Sequence, residues 1–189
     1  MANRYASTYR GFDYLQLDNQ LTEEQKLIRE TVRNWVNTAI IPTIENNAEN
    51  NHFPKHIIKE LGEIGALGPH IPAKYGGGGL DAISYGIIMQ ELERGDSGVR
   101  SCASVQSSLV MYPIWKFGSE AQKLKFLPLL AKGEMVGSFG LTEPNHGSDP
   151  GGMETRLIKK NDTYILNGAK LWITNAPICD IAVVWAKNE

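Results

Sequence analysis

The segment Gly140–Gly152, GLTEPNHGSDPGG, decides how the rest of the chain is interpreted. It holds four glycines and two prolines, with hydroxyl and carboxylate side chains between them, and it offers little apolar surface to a core. Loops of this composition either turn a corner or let the backbone approach a ligand closely. Composition alone favours the first alternative, a β-turn with Pro144 and Asn145 in the turn. The residues on either side must decide between the two.

The overall composition is that of a globular protein. The 189 residues are 42% hydrophobic and 21% charged, enough for one large domain or about one and a half ordinary ones. A formal net charge of −2 without a basic run argues against a nucleic-acid partner. No apolar stretch approaches the roughly 20 residues of a membrane-spanning helix, and the N-terminus lacks the apolar centre of a signal peptide. Two cysteines are too few for a disulfide framework, so we expect a reducing compartment.

Upstream of the quoted segment, the sequence predicts helices. Thr22 followed by Gln25 has the spacing of a capping box, apolar residues then repeat at helical spacing, and Pro42 marks the end of this first helix. Four more helices are predicted: one that starts at Pro54 and stops at Gly65, one that holds Ile83 to Leu92, one from about Ser97 through Met111 that Pro113 kinks or ends, and one from Ser119 to Gly133.

From residue 134 onward, the pattern changes to short segments rich in β-branched and aromatic residues, separated by turn signals such as Asn161-Asp162. The predicted strands are Met135–Leu141, Thr155–Lys159, Thr163–Leu166, Lys170–Thr174 and Ile181–Ala186. A boundary near Gly133 therefore divides an all-helical domain, residues 1–133, from a β-domain, residues 134–189, in an α+β fold. Because the chain stops directly after a strand, we expect it to be part of a longer protein.

Three motifs, in this order and spacing, resemble the acyl-CoA dehydrogenases. They are LTEEQKLIRETVRNW at residues 21–35, GLTEPNHGSDP at residues 140–150 and LNGAKLWITNAP at residues 166–177. Residues 91–134, which begin ELERGDSGVRSCASVQSSL, are similar to one branch of that family, the glutaryl-CoA dehydrogenases. The resemblance extends from about Phe12 to Glu189 without a large gap.

This resemblance implies a helical N-terminal domain, a middle domain built on a β-sheet or barrel, and a C-terminal four-helix bundle. The present sequence would hold the first domain and part of the second, with the bundle absent. The resemblance also implies FAD as cofactor, an acyl-CoA substrate, electron-transferring flavoprotein as partner, a homotetramer in the complete protein, and a bacterial cytoplasmic or mitochondrial matrix location. The family's catalytic glutamate belongs to the C-terminal domain, so no residue of this chain is predicted to be catalytic.

In the family, the quoted segment becomes a ligand loop that leaves a strand and wraps around FAD. Backbone N–H groups and the Thr142 hydroxyl would donate to the pyrimidine edge of the flavin, where negative charge accumulates during hydride uptake. Gly147 would let the main chain approach, and Ser148 would bond a pyrophosphate oxygen. His146 departs from the family, in which a small residue is common here. The loop residues that the resemblance assigns to FAD are Phe139, Leu141, Thr142, Gly147 and Ser148.

The second flavin element is Trp172-Ile173-Thr174, which lies in a predicted strand. From the residues alone, Trp172 would be a core side chain. The resemblance instead places its indole beside the isoalloxazine ring. It also points the Thr174 hydroxyl at flavin N5, the atom that accepts the hydride. All three residues are therefore candidates for cofactor binding.

Substrate selection is predicted from the segment that begins at Ser97. Arg100 and Ser104 are four residues apart, so on a helix they share one face, and a guanidinium beside a hydroxyl suits a carboxylate. The resemblance gives these two residues the distal carboxylate of a glutaryl chain. It places Glu93 near that group, although Glu93 could equally be a solvated helix residue. The predicted substrate-binding residues are Glu93, Arg100, Ser101, Ser104 and Ser148.

Other candidates are weaker, and two alternatives stay open. His52 and His56 have a spacing found in zinc sites, but Pro54 interrupts the helix and no third ligand presents itself, so no metal is predicted. Cys102 has no nearby histidine to activate it and is interpreted as a small buried residue. The alternatives to a decarboxylating glutaryl-CoA dehydrogenase are an enzyme for another acyl-CoA, including a non-decarboxylating glutaryl enzyme, and a non-catalytic binding fragment.

Overall fold

A computed structural model describes residues 14–188. The expectation that no signal peptide occupies the N-terminus falls mostly on residues 1–13, outside this range. Seven α-helices occur in it: α1 Glu23–Trp35, α2 Ile44–Glu49, α3 Ile57–Glu63, α4 Ala82–Gly95, α5 Ser97–Ser104, α6 Tyr112–Phe117 and α7 Glu120–Ala131. Within residues 14–188, none of the helices is long and apolar enough to cross a membrane.

The predicted capping box at the start of α1 is present. The Gln25 N–H donates to the Thr22 hydroxyl at 3.2 Å, and the Gln25 side-chain oxygen accepts from the Thr22 N–H at 3.0 Å. These reciprocal bonds satisfy two of the N–H groups that a helix start leaves unpaired. Behind the cap, α1 packs its apolar stripe onto α4, with Val32, Leu61 and Leu92 fully buried in a common core.

Pro42 and Pro113 each lie just after a wider helical turn. The segments Val36–Ile40 and Val105–Met111 are π-helical. After each segment, the N–H of the next residue, Ile41 or Tyr112, donates to the carbonyl five residues earlier. The second segment stands directly before Tyr112-Pro113. Of the two predicted effects of Pro113, kinking its helix or ending it, the ending is wrong, because the helical run continues through α6 to Phe117. In an α-helix, a proline ring clashes with the carbonyl four residues earlier and cannot donate to it. A π-helical turn shifts the hydrogen bonds by one residue, which relieves both problems.

The strands form two small sheets. They are β1 Gly137–Gly140, β2 Arg156–Lys160, β3 Thr163–Asn167, β4 Ile181–Val184 and β5 Lys187–Asn188. β1 pairs with β4 in parallel, whereas β2 pairs antiparallel with β3 and parallel with β5. The β2–β3 hairpin turns at Asn161-Asp162 as predicted, with Asn161 at φ 55°, a left-handed conformation that asparagine tolerates.

The prediction of a strand over Lys170–Thr174 is wrong. Trp172, in the middle of this stretch, and Asn175, directly after it, have φ angles of 59° and 67°, which are left-handed. A strand needs extended angles throughout, and its ladder cannot form across such residues. The β-branched and aromatic composition of the stretch indicated a strand, but tertiary contacts decide otherwise.

Two buried amides join the helices to the sheet that carries the loop. The Gln106 side chain donates to the carbonyls of Leu130 and Met135 at 2.9 and 2.7 Å, and accepts from the Gly137 N–H at 2.8 Å. The Asn175 amide donates to the Gly137 carbonyl at 3.1 Å and to the Cys102 carbonyl at 3.4 Å. The start of β1 is therefore fixed directly against the helical core.

Candidate functional site

The predicted flavin residues gather around one groove. It has a volume of about 320 Å³ and lies where the π-helical segment Val105–Met111, the end of β1 and the stretch after Lys170 meet. Its lining residues are Val105, Leu109, Phe139, Leu141, Thr142, Trp172, Ile173 and Thr174. Six of these eight were assigned to FAD from the sequence, although they come from segments about 30 residues apart. A mostly apolar groove with a few polar groups is a typical place for a small ligand.

The loop wall of the groove is held by its carbonyls. The Lys170 ammonium donates to the Leu141 carbonyl at 3.0 Å, and the Leu171 N–H donates to the Thr142 carbonyl at 2.9 Å. The Thr142 hydroxyl and N–H make no hydrogen bond to any residue of the described range 14–188. Both donors are therefore available to a ligand in the groove.

Glu143 is the buried anchor of the loop, with 3% of its surface exposed. Its carboxylate accepts from the Lys170 ammonium at 2.7 Å and from the N–H groups of Glu154 and Thr155 at 2.5 and 3.0 Å. Burial raises the pKa of Glu143, but the hydrogen bonds from Lys170 and from Thr155 and Glu154 outweigh it and hold the pKa well below its ordinary value. Sequence reasoning missed this anchor, since its donors lie 11 to 27 residues away and share no motif with it.

Trp172 forms the opposite wall, and its interpretation as a core residue is wrong. It is 84% exposed, and it holds a left-handed conformation that is an outlier for a bulky residue. Such strain costs about 1–3 kcal/mol and is typical of ligand sites. The Thr174 hydroxyl, on the same wall, also has no hydrogen-bond partner within residues 14–188.

The tip of the loop lies outside the groove. Gly147 and Ser148 are exposed and do not line it. A Cβ added at Gly147 would meet no atom within 4 Å among residues 14–188, so packing gives no reason for a glycine there. His146, the departure from the family pattern, lies 3.5 Å from the carboxylate of Glu154, and Asn145 donates to the same carboxylate at 3.4 Å. The tip is thus tied back to the segment that leads into β2.

Three of the five predicted substrate residues, Arg100, Ser101 and Ser104, lie on α5, which continues into the π-helical segment that lines the groove. Glu93 lies on α4, and Ser148 lies at the loop tip. Asp96 caps this helix by accepting from the Val99 N–H at 2.7 Å. The Arg100 guanidinium donates to the Glu93 carboxylate at 2.5 Å, with the two side chains 34% and 49% exposed. One turn on, the half-buried Ser104 hydroxyl donates to the Ser101 carbonyl at 3.2 Å.

Neither metal nor thiol chemistry has a candidate in the described residues. No group of three or more His, Cys, Asp and Glu side chains that could hold a metal occurs within 14–188. Burial raises the pKa of the Cys102 thiol to about 11, which leaves it protonated at neutral pH and a poor nucleophile.

The comparison with known proteins agrees with this geometry. Residues 22–134 match the acyl-CoA dehydrogenase N-terminal domain, and residues 138–189 match the acyl-CoA dehydrogenase middle domain. The chain therefore belongs to the acyl-CoA dehydrogenase family. The family and the α+β fold class expected from the sequence are both confirmed.

Three relatives show the extent of the similarity. An acyl-CoA dehydrogenase of Bacillus subtilis (strain 168) is 41% identical over 166 residues, which cover 88% of this chain and 44% of the relative. The crystal structure of a glutaryl-CoA dehydrogenase from Mycobacterium smegmatis superposes with a TM-score of 0.91 at 48% identity, covering 96% of this chain and 47% of that one. A glutaryl-CoA dehydrogenase from the same organism in complex with FADH2 gives 0.90 at 46% identity, covering 93% and 45%. The chain spans a little under half the length of these proteins, and the FADH2 complex confirms a flavin as the cofactor of the family.

Proposed function

We propose that this chain supplies the flavin loop and the acyl-recognition helix of an acyl-CoA dehydrogenase that acts on glutaryl-CoA. The observation that carries the proposal is the groove beside the exposed, strained Trp172. Two segments about 30 residues apart contribute Thr142 and Thr174 to it, and their hydroxyls have no partner within residues 14–188. In the proposed reaction, the substrate loses a proton from Cα and a hydride from Cβ, and the unsaturated acid then releases CO2 to give crotonyl-CoA. When bound, FAD supplies the acceptor for that hydride.

The groove residues would orient the flavin and stabilise the charge that it gains. The Thr142 N–H and hydroxyl would donate to the pyrimidine edge, and the Thr174 hydroxyl would donate at N5. Trp172 would lie against the ring and exclude water from one side, which strengthens these hydrogen bonds. Gly147 and Ser148, at the exposed loop tip, would approach the pyrophosphate and the nucleotide end of the substrate. Phe139, Leu141 and Ile173 supply apolar contact.

Arg100 supports glutaryl-CoA over a neutral acyl-CoA. Without ligand, the charge of its guanidinium is balanced by Glu93 at 2.5 Å. A distal carboxylate would join this pair, with the hydroxyls of Ser101 and Ser104 on the same helical run as further donors. A neutral acyl chain would gain nothing from the ion pair and would have to desolvate part of it. An enzyme for a neutral acyl-CoA is the second candidate, since the Arg100–Glu93 ion pair is partly exposed and forms without a substrate carboxylate.

Two buried carboxylates near the predicted site, Glu91 and Glu143, are poorly suited to act as the catalytic base. Glu91 is buried and bonded to Arg33 at 2.5 and 3.0 Å and to Arg94 at 3.0 Å, and Glu143 is bonded to Lys170. Carboxylates held ionised in this way bind protons weakly, which does not suit a general base. We therefore propose that the base comes from the remaining part of the whole protein, that residues 1–189 alone do not turn over substrate, and that electrons pass to electron-transferring flavoprotein from a homotetramer.

The experiment compares substitutions at the two predicted sites. In the complete enzyme, Thr174→Val should slow flavin bleaching by substrate while FAD stays bound, because the change removes a hydroxyl at similar volume. Arg100→Ala should lower kcat/KM for glutaryl-CoA by about 100-fold or more and for butyryl-CoA by much less. Equal losses for both substrates would favour the neutral-acyl alternative. A purified protein without a flavin absorption spectrum, even after addition of FAD, would leave only a non-catalytic binding fragment.

A further inference from the structure

We propose that Glu143 and Lys170 form a positioning pair that sets the pose of Leu141 and Thr142 against the flavin. The proposal rests on the proposed function for the identity of the ligand and goes beyond it in naming what shapes the site. The two side chains are 2% and 12% exposed, and their charges lie 2.7 Å apart. Neither side chain lines the groove, so the pair acts through the backbone that it holds.

The pair closes a ring of contacts around the base of the loop. Lys170 holds the carbonyl of Leu141, while Glu143 holds the N–H groups of Glu154 and Thr155, where the chain leaves the loop. The loop is therefore clamped at its entry and at its exit by one ion pair. Leu171 adds the bond to the Thr142 carbonyl, so two consecutive carbonyls are bonded within the protein, while the N–H and hydroxyl of Thr142, which lines the groove, have no partner within residues 14–188.

Lys170 also connects the two walls. Trp172 follows it by two residues, and Thr174 by four, so a displacement of Lys170 moves the wall that carries the N5 donor as well as the loop. The ion pair is neutral as a whole, so its direct electrostatic effect on a flavin largely cancels. Its influence on the flavin is consequently geometric, through the Thr142 N–H and hydroxyl.

An ion pair is a poor choice if the loop needs only stability. Burying two charges carries a desolvation cost that apolar residues of the same volume avoid. A carboxylate, however, can accept several N–H bonds at once, as Glu143 does from three donors, and this fixes direction as well as distance. A glutamine offers one acceptor oxygen and turns an NH2 group toward a donor, so Glu143→Gln disrupts the clamp while keeping the shape of the side chain.

The test uses Glu143→Gln and Lys170→Arg in the complete protein, with Glu49→Gln as the matched control. Glu49 is exposed at the end of α2 and belongs neither to the loop nor to the groove. FAD is the probe. The measurements are amide hydrogen exchange of the flavin-free protein, the dissociation constant of FAD, and the visible spectrum and reduction potential of the bound flavin.

We expect Glu143→Gln to speed amide exchange at Glu154 and Thr155 by about tenfold or more, the equivalent of one lost hydrogen bond. FAD should bind about tenfold more weakly. The bound flavin should show a shifted spectrum and a more negative reduction potential, because the Thr142 donors no longer stabilise the reduced ring. Glu49→Gln should stay within twofold of the parent in every measurement. Lys170→Arg keeps the charge and changes the geometry, so it should show the same shifts in spectrum and reduction potential. It therefore tests the proposal even if Glu143→Gln fails to fold.

An unchanged spectrum and reduction potential in the folded variants would overturn the positioning role, even if their unfolding temperature fell. Failure of the parent protein to bind FAD would overturn the proposed function instead. In that case, amide exchange in the flavin-free protein would still show whether the pair clamps the loop, and exchange unchanged by Glu143→Gln would refute the clamp itself.

Discussion

Gln106 is expected to be among the most sensitive polar positions of this protein. It is 1% exposed and satisfies three backbone groups at 2.7 to 2.9 Å: Leu130 at the end of α7, Met135 in the connection to β1, and Gly137 at the start of β1. Gln106→Leu keeps most of the volume but leaves all three groups buried without a partner. Each such group costs about 1–3 kcal/mol, so we expect a loss of about 3–6 kcal/mol after some relaxation of the backbone.

The assay is urea denaturation followed by far-UV circular dichroism, with thermal unfolding as a second measure. A loss of this size corresponds to a fall in Tm of about 6–20 °C for a domain of this length. Gln90→Leu on the exposed face of α4 is the matched control, and we expect it to change the free energy of unfolding by less than about 0.5 kcal/mol. A loss below about 1 kcal/mol for Gln106→Leu, at an unchanged m-value, would refute the reasoning that Gln106 fixes the sheet to the helices.

Three further predictions concern titration, thiol reactivity and backbone conformation. Because the pKa of Glu143 is lowered on folding, its ionisation stabilises the folded state above pH 4.5, the ordinary carboxyl value. In urea titrations, the difference in unfolding free energy between wild type and Glu143→Gln should therefore be constant from pH 8 to 5 and shrink below pH 4.5. A difference that stays constant down to pH 3 would contradict this. Burial raises the pKa of Cys102 to about 11, so its reactive thiolate is scarce at pH 8. N-ethylmaleimide at pH 8 should therefore label the half-buried Cys179 about 100-fold faster than Cys102, as measured by mass spectrometry. Equal labelling rates in the folded protein would disprove this. At Asn175, with φ 67°, glycine removes the amide bonds and alanine also strains the backbone, so Asn175→Ala should be less stable than Asn175→Gly by about 1 kcal/mol in urea, and the reverse order would count against strain.

The helices could be predicted from sequence because their signals are local. A capping box involves residues three apart; the box predicted at Thr22 forms, and Ser119, predicted as an N-cap, also forms one. The continuation of the helix past Pro113 has a different origin. Proline ends an ordinary α-helix, but the π-helical segment before Pro113 changes which carbonyls need a donor. No residue type or spacing in Val105–Met111 predicts a π-helical segment.

The candidate site was found through motifs rather than through secondary structure. Thr142 and Thr174 were placed at the flavin by resemblance, and the structure brings both to one groove although Thr174 does not lie in the strand that was predicted for it. Their roles at the flavin stay predictions. The parallel pairing of β1 with β4 joins residues 44 apart, and hydrogen bonds at that separation leave no periodic trace in the chain.

The groove owes its shape to polar contacts that lie behind it. Its lining is largely apolar, yet apolar packing is non-directional and could not by itself fix the backbone of Thr142 at the groove or hold Trp172 exposed in a left-handed conformation. Directional bonds do this from three sides: Gln106 fixes where β1 begins, Asn175 fixes where the Trp172 wall ends, and the Glu143–Lys170 pair fixes the loop between them. Because each joins segments that differ in sequence position by 27 to 38 residues, the site forms only when the helices and the sheet have folded against each other. A ligand that binds this groove therefore stabilises the contact between the two parts of the chain, and its affinity should fall in any variant that loosens Gln106 or Asn175.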